Sequence, residues 1–355
     1  MAPVSCHVVS ECAVNHRPIA TAGEIRVFAT CRNERLRLPA FLKHYRGLGI
    51  DRFFIVDHDS DDGTTDYLVG EPDVHVFRTT NRYSESEMGT DCPNALLATF
   101  GVGSWCVTVD CDELLVYPGS ETASLRTFTD YLDRRGCEAL PSLLLDMYPG
   151  GRLQECRYQP GDDLAAASPY FDVGPYRKLE FDLCPWVHLS GGMRERVFHS
   201  EFRRRGLAAK IYDALYYRVL HDMPGFGAHP PHRPPLLTKI PLVRWDENSR
   251  YLKGNHAVTR KMVAPETGAL LHFKFLHDFH ARAVCEAARG EHYDGASEYR
   301  RYAERLTRDP DMTFIFEGSA HFESTSQLVR LGLVQDSAAW TAAREQAQRV
   351  IGTTP

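Results

Sequence analysis

The sequence lacks the patterns that mark several common classes of protein. It contains ten cysteines in 355 residues, but no two of them are spaced as Cys-x-x-Cys. The missing spacing argues against a zinc knuckle and against a thioredoxin-like redox site. Cysteines scattered along a chain of this length are typical of reduced core residues, which predicts a cytoplasmic protein.

Basic charge and long apolar runs are also scarce. The net charge is −6, so the sequence predicts no broad basic surface and no nucleic-acid partner. No window approaches the roughly 18 apolar residues that span a bilayer. Residues 1–23 lack the basic start of a signal peptide, and Glu11 interrupts their apolar run. We therefore predict no membrane span, although peripheral association with a membrane stays open.

Two nucleotide-binding patterns are missing. The chain has no Gly-x-x-x-x-Gly-Lys-Ser/Thr sequence, and no Gly-x-Gly-x-x-Gly follows its first predicted strand. These sequences form the phosphate-binding loops of P-loop enzymes and of dinucleotide oxidoreductases. Both classes therefore lose support.

What the sequence does contain is a regular alternation of strand-like and helix-like segments. The predicted strands cover residues 25–30, 52–57, 74–79 and 104–110, and the helices between them cover 38–49, 64–70 and 92–101. The strands are apolar throughout, which is typical of strands buried on both faces of a parallel sheet. The predicted fold class is α/β, with a mostly parallel sheet flanked by helices.

The rest of the chain suggests one domain with two extensions. We expect a flexible extension over residues 1–23, one α/β domain over 24–290 and a helical C-terminal extension over 291–355. The Pro- and Gly-rich segment 225–235 fits neither a helix nor a central strand. We predict a long surface loop there.

Acidic residues follow three of the four predicted strands, at the point where each strand ends. Glu34 follows the first strand, a run that begins at Asp57 follows the second, and Asp110, Asp112 and Glu113 follow the fourth. Ligands of open α/β sheets bind outside the carboxyl ends of the strands, so we expect these carboxylates to share one edge. Their mutual repulsion predicts a divalent cation, Mg²⁺ or Mn²⁺, that also binds a diphosphate.

A second interpretation of these residues needs no ligand. An isolated Asp-x-Asp usually marks a solvated turn, the aspartates from 57 to 62 fit an Asx turn with a helix N-cap, and Glu34 can cap a helix. The co-location of three strand ends, more than any single motif, favours the metal site.

Several ordered segments, taken together, resemble glycosyltransferases of the GT-A type, in the family-2-like group. They include an Asn-Glu pair after strand one, an Asp-rich turn after strand two, an Asn-bearing helix before the Asp-x-Asp strand, and a Gly-Gly turn. The segments are residues 28–68, 88–118, 189–198, 239–258 and 268–279. The resemblance implies metal-dependent transfer of a sugar, with inversion, from a nucleoside-diphosphate sugar to a hydroxyl of a glycan, a lipid-linked or a small-molecule acceptor. It also implies a nucleotide-sugar half over about residues 24–120 and an acceptor half over about 121–290.

The resemblance further implies roles for individual residues in binding the donor. The residues that would line the base and ribose are Thr30, Arg32, Glu34, Asp57 and Asp59. Asp110 and Asp112 would hold the metal ion and the donor diphosphate, with His272 as a third metal ligand. Because imidazole suits Mn²⁺ better than Mg²⁺, His272 would favour manganese. An ordinary strand histidine explains His272 equally well.

The acceptor half carries the candidate base. Glu195 stands shortly after the Gly-Gly turn, where the resemblance implies the catalytic base of an inverting transferase, beside Asp112 as the second catalytic residue. Two arginines flank Glu195 and would lower its pKa if they pair with it. Alternatively, Arg194 contacts the donor diphosphate, or the cluster is simply a charged surface. His256 and the loop histidines at 229 and 232 are further candidates to approach the site.

Two rival functions stay open. A non-catalytic nucleotide-sugar-binding protein with a degenerate transferase fold is disfavoured because both aspartates and a candidate base are present. A sugar nucleotidyltransferase usually has a Gly-rich, basic loop after strand one. This chain has Cys31-Arg32-Asn33-Glu34 at that position, with no glycine.

Overall fold

The computed structural model describes residues 10–13, 23–79, 90–179, 188–201, 235–252, 254–259, 261–291 and 293–352. The strands in this part of the chain are β1 (Ser10–Ala13), β2 (Ile25–Cys31), β3 (Arg52–Asp57), β4 (Val74–Arg78), β5 (Trp105–Thr108), β6 (Glu113–Val116), β7 (Ala139–Asp146), β8 (Tyr170–Asp172), β9 (Tyr176–Leu179), β10 (His188–Gly191), β11 (Thr238–Arg244), β12 (Gly268–His272) and β13 (Ser319–His321). The helices are α1 (Leu38–Gly47), α2 (Thr64–Val69), α3 (Asp91–Phe100), α4 (Leu125–Arg135), α5 (Leu164–Ala167), α6 (Gly192–Phe198), α7 (Phe279–Arg289), α8 (Tyr293–Arg308), α9 (Thr325–Arg330) and α10 (Ala338–Gly352).

One large sheet organises the described residues. Its nine strands follow the order β1-β4-β3-β2-β5-β11-β7-β12-β6. The neighbours from β4 to β5 pair in parallel, as do β7 and β12. Strand β11 is antiparallel to both β5 and β7, and the edge strands β1 and β6 are antiparallel to their neighbours. Six of the nine strands (β2, β3, β4, β5, β7 and β12) therefore run in one direction, which confirms an α/β fold with a mostly parallel sheet.

Helices cover both faces of the sheet, and this explains why its strands are apolar throughout. All six residues of β3 are buried. Phe53 and Ile55 join a core that includes side chains of α1 and α4. Phe54 and Val56 join a second core that includes side chains of α3. Alternate side chains of one strand thus enter two cores, so neither face carries a polar pattern.

The strand that leads into the Asp-x-Asp sequence is shorter than predicted. It ends at Thr108, and residues 109–112 form a turn into β6. The turn is closed by the Glu113 amide, which donates to the Asp110 carbonyl at 3.0 Å. Because the chain turns here, Asp110 is exposed while Cys111 and Asp112 are buried.

Both terminal segments contribute to the packed body. Residues 10–13, within the segment expected to be a flexible extension, form β1 and pair with β4. The expected boundary at residue 290 falls between α7 and α8, which pack together through Phe279 and Tyr302, whose ring centroids are 5.3 Å apart. Trp340 of α10 is fully buried, with its ring 4.8 Å from that of Phe128 in α4.

Two predictions concern membrane contact and the long loop. No helix among the described residues is long and apolar enough to cross a membrane. The predicted loop 225–235, with its histidines at 229 and 232, lies outside the described residues.

The buried indole of Trp340 provides a test of the C-terminal packing. Trp340→Ala removes the ring contacts and the hydrogen bond from Trp340 Nε1 to the Pro118 carbonyl, so we expect the free energy of unfolding to fall by about 3–5 kcal/mol. Arg349→Ala, on an 81 % exposed side chain of the same helix, should change it by no more than about 0.5 kcal/mol. Urea unfolding measures both. Equal free energies of unfolding for Trp340→Ala and Arg349→Ala would show that α10 does not unfold cooperatively with the rest of the protein.

Candidate metal centre at the strand ends

The carboxyl ends of several strands meet at one edge of the sheet. The Val109 amide donates to the Phe28 carbonyl of β2, and the Phe273 amide donates to the Asp112 carbonyl at 2.7 Å. The Met147 amide, just beyond β7, donates to the His272 carbonyl at 3.0 Å. These bonds connect the ends of β5, β7 and β12 to one another and to the middle of β2. The turn that carries Asp110 and Asp112 therefore lies at the edge formed by the carboxyl ends of the parallel strands.

Three buried side chains at this edge form a candidate metal centre. Asp112, Glu113 and His272 each offer a ligand atom, and these atoms all lie within 4.8 Å of one another. His272 Nε2 is 3.4 Å from Asp112 Oδ2. Two carboxylates and an imidazole suit Mn²⁺ or another divalent transition metal, and as a partial set they leave coordination positions for a substrate. The donor set therefore fits the divalent ion that the sequence predicts.

The membership of this centre differs in one place from the prediction. Asp112 and His272 are brought together as expected, but the third member is Glu113. Asp110 does not belong to the group; its side chain is 61 % exposed and accepts a hydrogen bond from Lys239. The cause is the turn at residues 109–112, which directs Asp110 to solvent and Asp112 inward.

His272 is held in place by a second carboxylate. Its Nδ1 lies 2.7 Å from Asp146 Oδ1, and Arg194 Nε donates to Asp146 Oδ2 at 2.9 Å. Burial alone would raise the pKa of Asp146, but Arg194 and His272 hold that pKa below its usual value. Burial alone would lower the pKa of His272, yet Asp112 and Asp146 raise it. A carboxylate behind a ligand histidine fixes its tautomer and ring orientation.

Arg194 occupies a different position from the one predicted for a diphosphate contact. It is 5 % exposed, and its guanidinium engages Asp146 and, at 3.6 Å from Nη1, Glu298 of α8. Nη2 has no hydrogen-bond partner among the described residues. Arg194 therefore forms its shortest ion pair with Asp146, the carboxylate that contacts His272.

Lys239 is a buried cation of the site that sequence reasoning missed. Strand β11 lies between β5 and β7 and brings Lys239 Nζ to 2.8 Å from Asp110 Oδ2 and 2.5 Å from Glu113 Oε1. Burial lowers the pKa of Lys239, but these two carboxylates raise it above its usual range. A signal was available, because a lysine within an apolar run such as LLTKIPLV is rarely buried unless it is paired.

The protein therefore supplies part of the positive charge that the acidic strand ends require. Burial raises the pKa of Glu113 despite the pull of Lys239. Burial opposes ionisation of Asp112 as well, but His272, Arg282 and Lys274 hold its pKa well below the usual value. Asp112 is consequently a charged ligand, and the repulsion expected from the sequence is partly relieved without a metal ion.

Glu34 joins the same edge as part of an ion network. It is 4 % exposed, accepts a hydrogen bond from Arg282 of α7, and lies 3.5 Å from Arg37 Nη1. Arg37 in turn donates to Asp278 at 2.8 Å. The Glu34 carboxylate thus connects the segment after β2 to α7 through Oε1, while its buried Oε2 has no hydrogen-bond partner among the described residues.

Of the remaining residues predicted to line the base and ribose, one is fully buried and three are exposed or half-buried. Asp57 is fully buried and accepts hydrogen bonds from the hydroxyls of Ser60 and Thr65, so it shapes the turn after β3. Asp59 is exposed, has a left-handed φ of 54°, and pairs with Arg78 at 2.8 Å. Two half-buried residues lie at the end of β2. Thr30 has a buried hydroxyl without a partner among the described residues, and Arg32, just beyond the strand, donates to the His58 carbonyl at 3.2 Å.

Glu195 is placed by the predicted Gly-Gly turn. A Cβ on Gly191, whose φ is 125°, would lie 2.4 Å from the Pro175 carbonyl oxygen, so only glycine fits the close approach of β9. The Glu195 carboxylate is 1 % exposed and accepts a hydrogen bond from Arg177 of β9 at 2.5 Å. Glu195 is adjacent to Arg194 in α6, but Glu195 pairs with Arg177 whereas Arg194 pairs with Asp146.

Comparisons with known proteins add little to this description. No family model and no curated protein matches the chain. Among solved structures it has a weak likeness to a putative glucose-1-phosphate thymidylyltransferase from Bacillus anthracis in complex with a sucrose, with 10 % identity over 39 % of this chain and 64 % of that one and a TM-score of 0.25. A 4-diphosphocytidyl-2C-methyl-D-erythritol synthase has 14 % identity over 41 % of this chain and 70 % of that one, with a TM-score of 0.25. A UDP-glucose pyrophosphorylase from Acinetobacter baumanii has 8 % identity over 39 % of this chain and 65 % of that one, with a TM-score of 0.25. At these TM-scores the likeness supports no statement about function.

The carboxylate behind His272 generates a metal-binding prediction. Asp146→Asn keeps the side-chain shape but loses the charge that orients the imidazole, so we expect Mn²⁺ affinity to fall about 10–100-fold. Isothermal titration of the full chain measures it. Asp311→Asn, on a 67 % exposed side chain, is the matched control and should bind as the wild type does. An unchanged affinity in Asp146→Asn would remove His272 from the metal centre.

The buried ion pair of Lys239 generates a second prediction. Lys239→Met leaves Glu113 buried without its cation, so the free energy of unfolding should fall by about 3–5 kcal/mol. A bound Mn²⁺ restores positive charge beside Glu113, so Mn²⁺ should raise the melting temperature of this variant more than that of the wild type. Differential scanning calorimetry measures both values, with Lys43→Met on an exposed position of α1 as control. Equal Mn²⁺ responses in all three proteins would contradict a metal site at Glu113.

Proposed function

We propose that the protein is a metal-dependent glycosyltransferase that moves a sugar from a nucleoside-diphosphate sugar to an acceptor hydroxyl. The observation that carries the proposal is the group of Asp112, Glu113 and His272 at the carboxyl edge of a mostly parallel sheet, with His272 oriented by Asp146. Ligands of such sheets bind at this edge. The resemblance of the same segments to GT-A enzymes of the family-2-like group supports the assignment.

In such a reaction, some residues of the site would bind the metal ion and others would add positive charge near it. Asp112, Glu113 and His272 would hold a Mn²⁺ or Mg²⁺ ion, which when bound supplies electrostatic stabilisation to the departing diphosphate. Lys274 and Arg282 add positive charge beside Asp112. Lys274 is held over the rings of Tyr299 and Tyr302, with Nζ 4.7 and 5.4 Å from their centroids.

The ends of β2 and β3 would bind the nucleoside. Thr30, Arg32 and Asp59 lie there with side chains that are at least partly open, although the unpartnered Thr30 hydroxyl itself is buried. Glu34 and Asp57 act indirectly in this proposal, because the Glu34 carboxylate binds Arg282 of α7 and the Asp57 carboxylate holds the turn after β3. Glycans, lipid-linked acceptors and small molecules all stay candidates for the acceptor.

A ligand screen tests the donor class. We expect a nucleoside diphosphate and its sugars to raise the melting temperature of the full chain only when Mn²⁺ or Mg²⁺ is present, since an ion held by Asp112, Glu113 and His272 would supply the positive charge that the diphosphate needs. Mass spectrometry of mixtures with acceptors then detects transfer. Stabilisation by nucleotide sugar with no turnover would favour the non-catalytic binding protein. Formation of a nucleotide sugar from a nucleoside triphosphate and a sugar phosphate would favour the nucleotidyltransferase.

Asp112 provides the decisive variant. Asp112→Ala should stay folded, as shown by its circular dichroism spectrum, but should lose Mn²⁺ binding and at least about 100-fold in transfer rate, because a charged metal ligand is gone. Asp311→Ala is the surface control. Metal-dependent turnover at the wild-type rate in Asp112→Ala would contradict the assignment of the metal centre.

A further inference from the structure

An inverting transfer requires a group that accepts the proton of the acceptor hydroxyl, and most carboxylates at the strand ends are already committed. Asp146 engages His272 and Arg194, Asp110 engages Lys239, and Glu34 engages Arg282. Glu195 is 1 % exposed and paired with Arg177. Each of these groups would have to give up an ion pair or a metal-ligand contact before accepting a proton.

His256 lies at the same edge and is positioned by the backbone around it. Thr238 and Ile240 flank Lys239 on β11; the Thr238 carbonyl lies 2.6 Å from His256 Nδ1, and the Ile240 amide donates to the Asn255 carbonyl at 2.8 Å. Asn255 Nδ2 donates to the Thr108 carbonyl, at the end of β5, at 3.0 Å. These bonds place His256 beside the strand ends that carry Lys239 and the Asp110 turn.

The hydrogen bond to Thr238 determines which ring nitrogen is basic. A carbonyl oxygen can only accept, so Nδ1 carries the proton, and Nε2 of the neutral ring keeps its lone pair. Nε2 has no hydrogen-bond partner among the described residues, and the His256 side chain is half-buried. Burial, together with the charge of Lys239, lowers the pKa of His256 to about 4, so the ring is neutral near pH 7.

We propose that His256 is the catalytic base of the transfer reaction, in place of Glu195. The inference rests on the proposed glycosyltransferase function and specifies one step of it. Nε2 accepts the proton of the acceptor hydroxyl while the acceptor oxygen forms its bond to the anomeric carbon. The bond from that carbon to the diphosphate oxygen breaks, and the electron pair leaves with the diphosphate. The proton on Nε2 is released to solvent after the products depart.

The test compares two base candidates in the full chain with Mn²⁺ and a donor identified by the ligand screen. We expect His256→Ala to lower kcat for transfer about 10²–10⁴-fold while the dissociation constant of the donor stays within about twofold, because general base catalysis acts on the chemical step. Glu195→Gln should transfer at close to the wild-type rate if it folds normally. Added imidazole should restore transfer by His256→Ala in proportion to its concentration, an effect that a purely structural role would not produce.

His321→Ala is the matched control. His321 also has Nδ1 against a backbone carbonyl, that of Phe322, but it belongs to the separate β8–β13 ribbon. The His321→Ala variant should retain the wild-type kcat, and added imidazole should not change its transfer rate.

The possible results separate the two proposals. Wild-type kcat in His256→Ala, or loss of donor binding in that variant, would overturn the role of His256 and leave the transferase proposal intact. A loss confined to Glu195→Gln would return the base to Glu195. Absence of both transfer and donor hydrolysis in the wild type, with donor bound, would overturn the transferase proposal itself.

Discussion

The buried negative charge at the strand ends is the constraint on which the site depends. Asp112, Glu113 and Asp146 are each at most 6 % exposed, and desolvation of a carboxylate is costly unless cations or hydrogen bonds compensate it. The chain provides the compensation through Lys239 from β11 and Arg194 from α6. Several distant elements must therefore assemble before these three carboxyl groups can be buried together.

This requirement also makes the site rigid. Arg194, Asp146 and His272 form a continuous chain of short contacts that ends at Asp112. Each member has its partner fixed on a different element: α6, β7, β12 and the turn after β5. A metal ion bound by Asp112, Glu113 and His272 would find its ligands already oriented, which would reduce the entropy lost on binding. The resident cation Lys239 stands beside one of these ligands and limits how much of the negative charge the ion needs to neutralise.

The turn between β5 and β6 explains why neighbouring acidic residues have different environments. In a continuing strand, Asp110 and Asp112 would project to the same face. The turn instead leaves Asp110 open to solvent and encloses Asp112 and Glu113. Two residues of one motif thereby have different surroundings, with Asp112 in the candidate metal centre and Asp110 paired with Lys239 at its rim.

The sequence by itself determined the class of fold and the edge of the sheet at which the acidic residues gather. Continuous apolar strands indicate burial on both faces, and the division of β3 between two cores is the structural reason. The rule that strand ends carry the ligands located Asp112, and His272 was within reach through the resemblance. The same rule, applied to the apolar strand β7, would have indicated Asp146, which ends it.

Only the tertiary structure decided which charges are paired. Lys239 is 126 residues from Glu113, and Arg282 is 248 residues from Glu34, so no local pattern connects them. The pairing of Arg194 with Asp146, of Glu195 with Arg177 and of His256 Nδ1 with the Thr238 carbonyl depends on the same long-range packing. Local sequence fixes strands and turns because their hydrogen bonds and apolar periodicity are local, whereas the partner of a buried charge is set by which strands become neighbours in the sheet.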